Sequence, residues 1–379
     1  MLFVSKFYAD QLRKSLSSIK EELDSIFKDQ NIDKSLAVKL RNLILALVWA
    51  SRAAGSTIIR SKGLSEKYKI ALDDRDLDLL SSIRSGKKIH STVSTFQDIF
   101  RAIYKYKFLE HENKKPLLDL PCPELQDVIV LVPGVFNELF STAAFERSAQ
   151  FLKENHKADY IVATVDGTLD SQINATSIKE TLFKYIESHP HKRLWLIAFS
   201  KGGIDCLHFM KQNPDFSNQY IKGLSTLASP ILGTHHFSNI SIKILSRIQK
   251  LIQMTSLKET SLFNIVANFE KSLSNEQEIW FQQYHQALPK KCFYTALAFE
   301  SDFFDSHFWM MITKILLNSE RINDGVVDAD RAMFPDYFSA YNLGIVNGHH
   351  LVGNRSSLFA QEAIIEAHLI FLKYLNLIA

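Results

Sequence analysis

At 379 residues the chain exceeds one typical domain and can bury a sizeable core, so a large domain with an extension is expected. Its 44 Lys and Arg against 41 Asp and Glu leave a formal net charge of +3, which excludes the strong charge bias of a nucleic-acid binder or of a protein built for acidic partners. Cys122, Cys206 and Cys292 are odd in number and scattered, which fits free thiols in a reducing compartment rather than a disulfide framework or a zinc site.

The opening MLFVSKFYADQLRKSL lacks the long apolar stretch and small-residue cleavage pattern of a secretory leader. No apolar run reaches membrane-spanning length; the densest, Leu43 to Ala50, is closely flanked by Arg41 and Arg52. A soluble cytoplasmic protein is the expectation. Residues 1–112 read as an N-terminal helical domain. Tyr8, Leu12, Leu16, Ile19, Leu23 and Ile26 recur at steps of three and four, and Asp33 can cap a second helix carrying Leu36, Leu40, Leu43 and Leu47. Two more helices are predicted, from Leu64 to Ile83 and from Val93 to Leu109, the last with Phe96, Ile99, Phe100, Ile103 and Tyr104 on one face. Core burial explains such stripes; peripheral docking on a membrane surface through Lys and aromatic side chains is the alternative.

Residues 113–125 are charged and then proline-rich, and read as a linker. From 126 to 379 the pattern changes to strands alternating with helices. Asp127 to Val132 is a run suited to a strand buried on both faces, followed by Pro133-Gly134-Val135 and a helix with Phe145, Ala149 and Leu152. Tyr160 to Val165 is a second strand, Ser177 to Ser188 a helix, Arg193 to Phe199 a third strand, Ile204 to Met210 a helix and Tyr220 to Ala228 a fourth strand. This alternation implies right-handed crossovers and a mostly parallel sheet covered by helices, with reactive loops at the carboxyl ends of the strands. At about 235–290 a helical insertion interrupts it; Ile240, Ile244, Leu245, Ile248 and Leu251 form a stripe that suits either a packed helix or a movable lid over an apolar site. Cys292 to Phe299 restores a strand, Phe303 to Leu317 is an aromatic-rich helix, Gly344 to Asn347 a short last strand and Leu358 to Leu377 a final helix.

Ser200 stands at the turn between the third strand and its helix, in Ala198-Phe199-Ser200-Lys201-Gly202. A serine at such a turn is pushed out of the sheet, and the next backbone N–H, at a helix N-terminus, can stabilise a developing oxyanion. An activated serine also needs a general base and a carboxylate to orient it. Asn323-Asp324-Gly325 and Gly348-His349-His350 follow in that order on later loops. Asp166 could line the site or cap a turn, Asp205 reads as structural, and His208 as a core histidine. His235 and His236 lack two further ligands at zinc spacing, and no phosphate-binding glycine loop is present, so neither metal nor cofactor is implied.

Through AFSKGG, DVIVLVPG, LASPILGT, NDGVV and NGHHLVG, in that order, the chain resembles the α/β-hydrolase superfamily, and most nearly its bacterial lipase and esterase branch. LASPILGT is similar to the T-P-x-x-G-[ST] stretch of triacylglycerol lipases. The resemblance runs from Asp127 to the C-terminus, minus the insertions. It implies Ser200 as nucleophile, Asp324 as acid and His350 as base, with His349 as the alternative base, and the backbone N–H groups of Lys201 and Val135 as oxyanion donors. Family members commonly carry His where this chain has Pro133, and Gly where it has Ala198. The implied activity is hydrolysis of small carboxylic esters with an apolar acyl part. An acyltransferase or thioesterase using the same triad, or a non-catalytic binding protein on the same fold, are the alternatives.

Overall fold

A computed structural model describes residues 70–87, 89, 93–113, 118–134, 143–167, 169–234, 274, 276–301, 314, 321–353 and 359–378. The elements in chain order are α1 (Asp74–Arg84), α2 (Val93–Asn113), β1 (Val128–Val132), α3 (Glu146–His156), β2 (Tyr160–Val162), α4 (Ser171–Ser188), β3 (Leu194–Phe199), α5 (Lys201–Gln212) and α6 (Pro214–Tyr220). They continue with β4 (Ile221–Leu227), α7 (Glu276–Tyr284), β5 (Phe293–Glu300), β6 (Tyr341–Asn347) and α8 (Gln361–Tyr374). The six strands form one sheet in the order β2-β1-β3-β4-β5-β6, and every neighbouring pair is parallel. Strand order reverses between β1 and β3, which makes the carboxyl ends of those two strands the place where a crevice forms in such a sheet.

The strands at the centre are apolar throughout because both faces are covered. All five residues of β1 and all six of β3 are buried. Val128, Val130, Val132, Leu194, Leu196 and Ala198 share one core cluster with Ile178 and Leu182 of α4 and Leu207 and Met210 of α5. The intervening side chains face the other way: Trp195 donates from Nε1 to Ser225 Oγ (2.7 Å), which in turn lies 2.7 Å from His368 on α8. This period of two, with apolar residues in both phases, is the reason β1 and β3 read as continuous apolar runs.

Several predicted bounds shift for local reasons. The helix expected from Ser177 begins at Ser171, because the Asp170 carboxylate accepts the Gln172 N–H (2.7 Å) and caps it a turn and a half earlier. The strand expected to reach Val165 ends at Val162, its pairing with β1 running only from Tyr160 to Val162. The last strand starts at Tyr341 rather than Gly344; its register against β5 shifts between Ala296 and Ala298, and Gly344 adopts φ 89 there. The helix expected from Leu64 is described as Asp74–Arg84, opened by a reciprocal capping box between Asp73 and Asp76.

The chain divides into two compact units: Met1–Ala71 with Phe108–Leu117, and Leu72–Lys107 with Leu118–Ala379. The second holds the sheet. It takes in α1 and most of α2, which were expected within the 1–112 helical domain. Phe96 and Phe100 of α2 meet Phe371 of α8 edge to face at 6.3 and 6.0 Å, and Phe96 meets Tyr341 at 5.2 Å. Phe96 and Phe100 of the expected apolar face thus pack on the sheet's own covering helix. The first two expected helices, the 235–273 part of the expected insertion, and the helix expected from Phe303 apart from Lys314 lie outside the described residues. Among the described residues no helix is long and apolar enough to cross a membrane.

Candidate active site

β3 delivers Ser200 to the carboxyl edge of the sheet. The serine has φ 54 and ψ −132, outside the regions that L-residues favour, and α5 begins at the next residue. Such a conformation costs on the order of 1–3 kcal/mol and persists only where the surroundings over-determine it. Here they do. The Ser200 N–H donates to Leu227 O of β4 (3.0 Å) and Gly203 N–H donates back to Ser200 O (3.1 Å). Close packing adds to this: a Cβ at Gly202 would fall 2.4 Å from Val132 O and 2.5 Å from Pro133 O, so only glycine lets α5 start this near β1. Ala198, where the common spelling has Gly, is buried and paired with Val132.

The acid sits on the loop after β5. Asn323-Asp324-Gly325 folds into a turn because both side chains bond to backbone ahead of them. Asn323 Oδ1 accepts from Gly325 N–H (2.9 Å), and Asp324 Oδ1 accepts from Val326 N–H (2.9 Å) and Val327 N–H (2.8 Å). Gly325 takes φ 101, which a side chain would strain. Lys314 Nζ clamps the same turn through Asn323 Oδ1 (2.7 Å) and Asn323 O (3.0 Å). With Oδ1 engaged, Oδ2 is left to face His350.

His350 follows β6 and is fixed at its backbone by donation from its N–H to Asp324 O (2.8 Å). Its Nδ1 lies 2.7 Å from Asp324 Oδ2 and its Nε2 lies 2.8 Å from Ser200 Oγ. A carboxylate can only accept, so Nδ1 carries the proton and Nε2 is free to accept from the serine hydroxyl. The ring leans on Phe199 at 5.2 Å between centroids. Ser200, His350 and Asp324, the three expected triad residues, are therefore hydrogen-bonded in series. His349 does not share in this: its Nδ1 accepts from the Leu351 N–H (3.1 Å).

Of the two expected oxyanion donors, Lys201 opens the first turn of α5, where no intrahelical acceptor exists for its N–H. Val135 lies outside the described residues, but the preceding Gly134 passes directly over the serine: a Cβ there would meet Ser200 Cβ at 2.7 Å and Oγ at 3.2 Å. The loop after β1 thus reaches Ser200. Asp166 is exposed, and its backbone exchanges hydrogen bonds with the Asn174 amide (3.2 and 2.8 Å). Asp205 is a buried counter-ion of Lys201. His208 stacks on Trp280 at 4.0 Å, and its burial lowers its pKa to about 4. His235 and His236 lie outside the described residues. Among the described residues one group, Cys122, His156 and Glu366, gathers metal-binding atom types within 4.8 Å. Glu366 there already has Lys107 Nζ at 3.6 Å and His156 Nε2 at 3.1 Å, so its charge is met without an ion.

Two contributors escaped the sequence reading, Asn174 and Lys314. Each acts through a partner with no local spacing signal: Asn174 reaches Asp205 31 residues away, and Lys314 reaches a turn whose own motif was visible.

No protein-family model and no curated protein matches this chain. Solved structures do. A metagenomic carboxyl esterase aligns at TM-score 0.55 and 20% identity over 68% of this chain and 78% of that one. The mature lipase BlEst2 of Bacillus licheniformis aligns at TM-score 0.44 and 19% identity over 69% and 96%, and a thioesterase of the prodiginine pathway of Streptomyces coelicolor at 0.37 and 14% over 69% and 98%. With the all-parallel sheet and its covering helices, the first of these likenesses identifies the fold as the α/β-hydrolase fold.

Proposed function

We propose that the protein is a serine hydrolase of carboxylic esters, acting on small substrates with an apolar acyl part. The observation that carries this reading is the series Ser200 Oγ, His350 Nε2, His350 Nδ1, Asp324 Oδ2, with hydrogen bonds of 2.8 and 2.7 Å on loops at the strand ends. Ser200 Oγ attacks the ester carbonyl while its proton passes to His350 Nε2, and Asp324 stabilises the imidazolium that results. The Lys201 and Val135 N–H groups hold the oxyanion of the tetrahedral intermediate. Collapse expels the alcohol, which takes the proton from His350 and leaves an acyl-Ser200. Water, deprotonated by the same nitrogen, then releases the acid and restores the serine. No cofactor takes part, and we place the enzyme in the cytoplasm, with peripheral contact to a membrane surface as an optional addition that liposome flotation of the full chain reads directly.

The test is steady-state hydrolysis of p-nitrophenyl esters of graded acyl length by the full chain, beside labelling with a fluorophosphonate probe. Ser200→Ala is expected to lower kcat by about 10⁴-fold or more and to abolish labelling. Full activity in that variant would sink the mechanism. Turnover of acyl-CoA in preference to oxygen esters, or acyl transfer to added alcohol, would instead redirect it to a thioesterase or an acyltransferase.

A further inference from the structure

The residue after the nucleophile carries a cation into the interior. Lys201 is wholly buried, its Nζ donates to Asp205 Oδ1 (2.7 Å), and Asp205 is itself only 1% exposed. The other carboxylate oxygen, Oδ2, accepts from Asn174 Nδ2 (2.8 Å), and the Asn174 amide closes on the Asp166 backbone at both ends (2.8 and 3.2 Å). The chain of contacts runs from the first residue of α5, through the start of α4, to the turn that follows β2.

Stability alone gives a poor account of this arrangement. A buried ion pair loses much of its attraction to desolvation, and apolar replacements are often neutral or stabilising. A cation at the first helical position opposes the helix dipole, and Lys four residues before Asp is the weaker of the two helical orders. What the pair does accomplish is geometric. It pins the far end of the Lys201 side chain, and so adds a further hold on the peptide joining Ser200 to Lys201, beside the backbone hydrogen bonds that already fix Ser200 at φ 54 and ψ −132. That peptide bears the N–H assigned above to the oxyanion.

We propose that the Lys201–Asp205 pair, moored through Asn174 to the Asp166 turn, is a positioning device that holds the Lys201 N–H in line with the oxyanion; this rests on the hydrolase reading. Donors held in place before the reaction act on charge that develops in the transition state, so loosening them lowers kcat and leaves KM. Lys201 and Asp205 would then be positioning residues through their side chains.

The experiment compares wild type, Ser200→Ala, the charge-free double variant Lys201→Met with Asp205→Asn, and Asn174→Ala, all as the full chain. In the double variant kcat per fluorophosphonate-titrated serine is expected to fall about tenfold, a barrier change of about 1.4 kcal/mol, with KM within about twofold. Asn174→Ala, which keeps the ion pair but cuts its mooring, is expected to lower kcat about threefold in the same sense. Melting temperature is followed in parallel. If both variants keep wild-type kcat per titrated serine, whatever happens to their melting, the pair is structural only and the proposal is overturned. If wild type neither turns over esters nor is labelled at Ser200, the hydrolase reading fails first and takes the positioning role with it.

Discussion

Two serine–histidine pairs of nearly equal length stand out among the described residues, Ser200–His350 at 2.8 Å and Ser225–His368 at 2.7 Å. They differ in everything around that bond. Ser200 lies past the end of β3 at positive φ, whereas Ser225 lies inside β4, in register with Ile197 on one side and Thr295 on the other. His350 Nδ1 faces a carboxylate; His368 Nδ1 has no hydrogen-bond partner among the described residues. Ser225 Oγ accepts from Trp195, and His368 Nε2 also lies 3.1 Å from Thr295 Oγ1, with Phe100 edge-on against the ring. The second pair is a neutral polar bridge tying α8 to the sheet. A short serine–histidine contact is thus common to both; under the proposed mechanism the carboxylate on the far nitrogen and the exit from the strand set Ser200 apart.

Removing the carboxylate should erase that difference most fully. Asp324→Asn is expected to lower kcat by about 10³–10⁴-fold, because an amide no longer dictates the tautomer that leaves Nε2 to accept. Steady-state ester hydrolysis checks it, and a loss smaller than tenfold would mean that Asp324 does not orient the base.

Acid tests the second histidine next. Burial lowers the His368 pKa from 6.5 to about 3, so between those values the unfolded chain holds a proton that the folded chain does not. The stability present above about pH 6.5 is therefore lost as pH falls toward 3, at about 1.4 kcal/mol per pH unit for this group. His208, at about 4, adds to the same trend over the upper part of the range. Urea midpoints measured between pH 7 and pH 4.5 should fall less steeply in His368→Gln than in wild type; equal slopes would show that His368 is not held neutral.

The smallest expected effect sharpens the contrast from the other side. Ser225→Ala should cost about 1–3 kcal/mol of stability, since it strands the buried Trp195 N–H, and should change kcat by less than about twofold. Denaturant unfolding beside ester hydrolysis reads both. A loss of activity comparable to that of Ser200→Ala would break the comparison altogether.

Much of this was legible in the chain, because the features concerned are local. The β1 and β3 runs are apolar in both phases, so they announce a doubly covered parallel sheet before any contact is known. The elbow around Ser200 and the Asn323-Asp324-Gly325 turn are written within a few residues each, since strand exit, glycine and side-chain-to-backbone bonding act over that distance. The helix start at Asp170 is equally local, but the apolar pattern begins a turn and a half later and points to Ser177 instead.

What the sequence by itself determined is the succession of strands and helices around the sheet, with Ser200 at a strand exit and Asp324 ahead of a histidine pair. Only the tertiary structure decided which histidine meets the serine, because the loop after β6 must close on Asp324 O before His350 rather than His349 turns inward. It also decided that Phe96 and Phe100 of α2 pack on Phe371 of α8, and that Lys201 is answered by Asp205, itself held by Asn174, rather than by solvent. Periodicity fixes which face of an element is apolar or polar, but the partner of that face lies tens to hundreds of residues away and is chosen by packing.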